Sequence, residues 1–106
     1  MDQILFGDFV LNVSERTLHH RRALVVLRPK EFDLLLLLAS FRGAIVRKTE
    51  IMDVVWGDAE VSDAALTQCM HRLRRTLAVH DPHTQHVVTI QGLGYRLTSL
   101  RSASTA

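Results

Sequence analysis

Ala64-Ala-Leu-Thr-Gln-Cys-Met-His-Arg-Leu-Arg-Arg-Thr-Leu77, followed beyond Pro82 by Val87-Val-Thr-Ile-Gln-Gly-Leu-Gly-Tyr-Arg-Leu97, decides the fold of this chain. In the first segment Leu66, Met70, Leu73 and Leu77 recur at i, i+4, i+7 and i+11, which predicts a helix with one apolar stripe. Ser62 stands where an N-cap belongs, and Pro82 stops the helix from continuing. In the second segment two strand-like runs, Val87–Gln91 and Tyr95–Thr98, flank Gly92 and Gly94, which permit a bend between them. A helix followed directly by a glycine-closed hairpin is a distinctive order.

Charge singles out the same region. Residues 64–106 carry five arginines (Arg72, Arg74, Arg75, Arg96 and Arg101) against Asp81, a net of +4, whereas residues 1–63 hold eight basic and ten acidic side chains. The overall +2 therefore hides a dipolar chain with one cationic end. A polyanion such as double-stranded DNA would be drawn to that end, in a salt-dependent way. On the helix, Ala64, Gln68, His71 and Arg75 lie opposite the apolar stripe, with Thr67 and Arg74 on one flank and Arg72 on the other. A glutamine can pair with adenine, and arginines can reach guanine or phosphate. The alternative is an amphipathic helix with a solvated basic face.

Upstream, Ile4–Asn12 reads as two short strands around Gly7-Asp8, and Leu18 with Ala23–Leu27 continues the pattern across a turn at His19-His20-Arg21-Arg22. The continuous run Leu24–Leu27 suggests a strand covered on both sides or capping a helix layer. Pro29 then opens a helix, with Glu31 in its first turn. Phe32, Leu35, Leu36 and Ala39 form one face of it, and Leu34, Leu37 and Leu38 make it apolar nearly all round, so it belongs at the centre of the fold. Gly43 closes it. A second helix is expected over Lys48–Trp56, with Ile51, Val54 and Val55 inward and Gly57 at its end, followed by an acidic loop over Asp58–Val61. The order is β-rich start, three helices and β-hairpin: an α+β winged helix-turn-helix. One domain over residues 1–100 and a polar tail over 101–106 are expected.

Composition narrows the classes further. The 106 residues, 47% of them apolar, suffice for one domain. Cys69 is the lone cysteine, which precludes an internal disulfide and fits a reducing, cytoplasmic setting. The apolar run Phe32–Phe41 is too short to span a bilayer, which takes about 20 residues, and the N-terminus lacks the basic region of a signal peptide. His80, His83 and His86 recur every third residue, but Asp81-Pro82 breaks the helix that would align them, so a solvated loop is expected and no metal or cofactor. No nucleophile–base set or paired carboxylates emerge, so an enzyme is not expected.

The ordered pieces Leu27-Arg-Pro-Lys-Glu-Phe32, Gly43-Ala-Ile-Val46, Val55-Trp-Gly57, Arg72-Leu-Arg74 and Thr89-Ile-Gln-Gly-Leu-Gly-Tyr-Arg-Leu97 carry a family resemblance. Over residues 3–98 the chain resembles the OmpR/PhoB-type winged-helix DNA-binding domain, and Val61-Ser-Asp-Ala-Ala-Leu-Thr-Gln68 looks closer to the ToxR/CadC-like branch. The resemblance implies a four-stranded N-terminal sheet, a three-helix core and a C-terminal wing. It also implies that the third helix enters the major groove while the wing reaches the adjacent minor groove or backbone. Base or phosphate contacts then fall to Gln68, His71, Arg72 and Arg74, and in the wing to Thr89 and Gln91. Thr67 and Arg75 join them from the helical geometry. The Trp56 indole either donates to a phosphate or packs against the hairpin. The acidic pair Asp58/Glu60 either faces RNA polymerase or forms an exposed turn.

Two departures stand out. Arg28 and Arg47 occupy positions where the family usually has a helix-capping Thr and Ser, and an arginine has no acceptor to offer. Arg47, beside Lys48, is instead a candidate phosphate contact. The leading expectation is the sequence-specific DNA-binding effector domain of a bacterial, two-component-like transcription regulator, as a possible homodimer on repeated half-sites and without membrane contact in this chain. With no receiver domain in the sequence, it would be an output domain or a small regulator controlled by a partner. The competing expectation is a winged-helix module that binds a regulator or polymerase and not DNA.

Overall fold

The computed structural model describes residues 2–57 and 61–101. Four short strands come first: β1 (Gln3–Phe6), β2 (Phe9–Asn12), β3 (Thr17–His20) and β4 (Ala23–Val25). They form an antiparallel sheet in the order β4-β3-β2-β1, joined on its far edge by β8 (Leu100–Arg101), which pairs Leu100 with Phe6 and Arg101 with Leu5. The resemblance implied four strands here. The fifth arises because the chain returns to β1 after the wing, with Gly7 N–H bonded to the Ser99 carbonyl at 2.9 Å. Arg101, expected in the tail, thus pairs in the sheet, while residues 102–106 lie outside the described residues.

One face of this sheet packs into the core. Phe6, Phe9, Leu11, Leu18 and Val25 are buried on it, and the Phe6 and Phe9 rings stack with centroids 5.0 Å apart. The β3–β4 hairpin turns on Arg21 and Arg22 alone, since His20 pairs with Ala23. His19 and His20 therefore belong to the strand, not the turn. Both turn residues have positive φ, 48° and 76°, as a two-residue hairpin with the right twist demands. The run Leu24–Leu27 is not covered on both sides. Only Val25 is buried, while Leu24 and Val26 are exposed, because β4 is an edge strand with one face toward the core.

Helix α1 (Pro29–Ser40) occupies the centre, with Leu34, Leu35, Leu38 and Ala39 fully buried. Leu36, expected in the core, is the one leucine of the run that is only partly buried. Arg28 stands at the N-cap without a side-chain bond, and the buried Glu31 carboxylate accepts its backbone N–H at 3.3 Å. That carboxylate sits where the helix dipole favours negative charge.

The second helix departs from expectation. It is α-helical only over α2 (Lys48–Ile51) and widens into a π-helical stretch over Met52–Trp56. A π-turn bonds i to i+5 and shifts the faces that a 3.6-residue period would give. Ile51 and Val55 remain buried, but Val54, expected inward, is 58% exposed. Lys30 of α1 reaches across to the Val55 carbonyl at 2.7 Å and ties down the end of this segment.

Helix α3 (Asp63–His80) buries Leu66, Met70, Leu73 and Leu77 as its spacing predicts, with Cys69 beside them. Ser62 is at the N-cap position, yet its hydroxyl makes no capping bond. His86 is not in a solvated loop: it is buried edge-on against Phe6 and Phe9, and its Nε2 lies 2.8 Å from Asp81 Oδ2. That hydrogen bond holds the Asp81 carboxyl below its usual pKa. Among the described residues no cluster of three or more metal-ligating side chains occurs, and no helix is long and apolar enough to cross a membrane.

The second sheet has the order β5-β7-β6, built from β5 (Val46–Arg47), β7 (Gly94–Leu97) and β6 (Val87–Ile90). The β6–β7 hairpin is the wing. Gly92, with φ +78°, makes its turn, whereas Gly94 lies in the strand and serves a different need. A Cβ at Gly94 would overlap the Val46 carbonyl oxygen and come within 2.9 Å of Arg47 Cα. Only glycine lets β5 and β7 approach this closely.

Candidate nucleic-acid interface

The surface of α3 opposite its core stripe is built from exposed Ala64, Thr67, Gln68, His71, Arg72 and Arg75. No acidic side chain lies on α3 beyond Asp63, so nothing on the helix itself neutralises this face. The helix presents it because Leu66, Met70, Leu73 and Leu77 are fixed in the core, leaving one rotation about the helix axis. Thr67 Oγ1 donates to the Asp63 carbonyl at 3.2 Å, one turn back. Burial pushes the Cys69 thiol up to about 11, so it stays protonated and inert at neutral pH behind the face.

Three further groups of residues matter: two adjoin α3 and one adjoins the wing turn. The first is the wing, whose Thr89 and Gln91 are exposed. Arg74, expected among the contact residues, is half-buried and turned to the wing. It donates from Nη2 to Thr89 Oγ1 at 2.7 Å and from Nε to the Val87 carbonyl at 3.3 Å. The second is the start of α2. Arg47 pairs with Gly94 across β5 and β7, and Lys48 N–H makes a long 3.4 Å bond to the Leu93 carbonyl at the wing turn. The wing thereby takes up one of the donors that the Arg47 N-cap leaves free, and both side chains are exposed. The third is Trp56, half-buried in a groove with Lys30, Ala65, Gln68 and Arg72. That places it beside α3 and the start of α1, and it also packs against the core.

Thr67, Gln68, His71, Arg72 and Arg75 thus share the exposed surface of α3, and Trp56 lies in a groove beside Gln68 and Arg72. Arg74 is turned to the wing that bears Thr89 and Gln91, and Arg47 and Lys48 adjoin the wing turn. Asp58 and Glu60 lie outside the described residues. Sequence reasoning missed Lys30, and it placed Gly94 in the bend when the residue lies in β7 against β5. The only signal for Gly94 was a second glycine two residues after the turn.

Residues 21–97 match the family described as transcriptional regulatory protein, C terminal. The chain belongs to this family. It is 39% identical over 94 residues to the transcriptional regulator HilA of Salmonella typhimurium, covering 89% of this chain and 17% of HilA. The chain therefore spans about a sixth of that relative's length. Among solved structures, the DNA-binding domain of CpxR from Escherichia coli superposes with a TM-score of 0.80 at 26% identity, over 92% of this chain and 96% of that one. The DNA-binding domain of Escherichia coli CadC gives a TM-score of 0.80 at 24% identity, over 92% of each chain, a likeness of fold. The winged-helix fold and the family expected from the sequence are both borne out.

Proposed function

We propose that this domain binds double-stranded DNA sequence-specifically as the effector domain of a bacterial, response-regulator-like transcription regulator. In this reading α3 enters the major groove and the wing lies on the adjacent minor groove or backbone. The observation that carries it is the exposed face of α3, free of acidic side chains after Asp63 and bearing Gln68, His71, Arg72 and Arg75, on a helix that Arg74 joins to the wing. Family membership and the DNA-binding domain of CpxR, similar over nearly the full chain, support it. A protein-binding face at the same place would more often have an apolar, aromatic centre, whereas the middle of this face is Gln68 and His71. Arg47 and Lys48 are phosphate contacts in this reading, as is the Trp56 indole N–H. RNA polymerase is the partner of the segment holding Asp58 and Glu60, a second copy occupies the neighbouring half-site, and the compartment is the cytoplasm.

Selection of bound sequences from a random DNA pool at about physiological salt tests this directly, since it returns a half-site and its repeat spacing together. Enrichment of no sequence would overturn it. Two variants refine the reading. Arg75→Ala is expected to weaken binding to all sequences and to flatten the salt dependence by about one unit, the slope lost with one phosphate contact. Gln68→Ala is expected to leave that slope intact and relax preference at one base position, because a glutamine–adenine pair is worth about 1–3 kcal/mol of discrimination. A substitution series on the selected site checks it: identical preferences in both proteins would move sequence reading to the wing or to DNA shape.

A further inference from the structure

Among the described residues, the side-chain hydrogen bonds from α3 to the strands of the wing all come from one residue, Arg74. Its guanidinium spans alternate positions of β6, the Val87 carbonyl at 3.3 Å and the Thr89 hydroxyl at 2.7 Å. It also lies over the Tyr95 ring, 5.7 Å from the centroid, and Tyr95 is the cross-strand partner of Thr89. One planar group therefore grips both strands of the hairpin. On its other side the wing is held by β5, only two residues long. Arg72 and Arg75, one residue or two away on the helix, are exposed and make no such bonds among the described residues.

We infer that Arg74 is a positioning residue, which fixes the wing relative to α3 and so sets where the wing meets DNA, instead of contributing chiefly its own charge to a phosphate. This inference rests on the DNA-binding reading of the same surface. A fork with several donors and a flat face can hold two acceptors and a ring together. A lysine, with a single ammonium on a flexible stem, keeps the charge but cannot span them. Charge and geometry can therefore be separated by substitution.

The experiment compares wild type with Arg74→Lys, Arg74→Ala, Thr89→Val and the double variant Arg74→Ala/Thr89→Val. Amide hydrogen exchange is measured in the free protein, and affinity and salt slope on the selected site. In the free protein, Thr89→Val is expected to speed exchange in residues 88–90 by about tenfold, the loss of one charge-assisted hydrogen bond, and Arg74→Ala and Arg74→Lys by at least as much, while the core amides of α3 keep their protection. On DNA, Arg74→Lys should bind nearly as poorly as Arg74→Ala, and the double variant no worse than Arg74→Ala alone. Rescue of binding by Arg74→Lys, with Arg74→Ala flattening the salt slope by about one unit, would show a direct phosphate contact and overturn the inference. Unchanged wing exchange in all three single variants would overturn it as well. A wild type that bound no DNA would instead remove the functional reading, and the exchange rates would still report whether Arg74 holds the wing.

Discussion

Gly94→Ala is expected to destabilise the domain by about 3 kcal/mol or more, against about 1–2 kcal/mol for Gly92→Ala two residues earlier in the same hairpin. The two glycines solve different problems. Gly92 supplies a positive φ of 78° at a turn with nothing within 4 Å of an added Cβ, so alanine there meets only the cost of the left-handed conformation. Gly94 needs no unusual φ, but its added methyl would run into the backbone of β5, at the Val46 carbonyl and Arg47 Cα. Backbone cannot rotate aside as a side-chain end can, so β5 must separate from β7. That separation would expose Val46 and Tyr95, which are buried at this junction, and free Arg47 from its place beside the wing. Domains of this size have about 5–15 kcal/mol in total, so the loss is a large share of it. Urea unfolding of the two variants checks this. Equal midpoints would mean that β5 and β7 are not this close.

What the sequence revealed depended on whether the physics was periodic. The stripe Leu66, Met70, Leu73 and Leu77 follows from one repeat, and all four side chains are buried. The hairpins followed from turn residues between apolar runs. The second helix failed at Val54 because a π-turn changes the period without leaving a mark in composition. For the Leu24–Leu27 run the alternative of cover on both sides failed, because an apolar string does not say how many of its faces will be covered, and here Val25 faces the core while Leu24 and Val26 face outward. His86 was read as solvated from its position between Pro82 and the wing, yet it packs on Phe6 and Phe9 from the other end of the chain. For the candidate site, the exposed face of α3 was legible from spacing and charge, but the turn of Arg74 toward the wing was not. Nothing local distinguishes Arg74 from Arg72 or Arg75. The difference is made by Thr89, fifteen residues later.

Leu35→Ala is expected to cost about 2–5 kcal/mol, while Leu36→Ala, its neighbour, should cost less than about 1.5 kcal/mol. The pair is a controlled comparison, since both substitutions remove the same atoms from the middle of α1 and change helix propensity equally. They differ in surroundings. Leu35 is fully buried within the helix that packs against α3, β7 and the π-helical stretch, so truncation leaves a cavity that rigid elements on several sides cannot close. Leu36 is partly exposed and lies at the rim of the core, where solvent can fill the space. From the sequence, Leu36 belonged with Phe32, Leu35 and Ala39 on the inward face, so the prediction separates structure from pattern. Thermal melts decide it, at about 4 °C per kcal/mol for a domain near 100 residues. Similar shifts for the two variants would mean that α1 is buried all round, as its composition alone suggests. Leu73→Ala, fully buried on α3, should match Leu35→Ala and not Leu36→Ala. It would also loosen the rotation that presents Gln68, His71 and Arg72 together, so its loss of DNA affinity should exceed what the unfolded fraction alone explains.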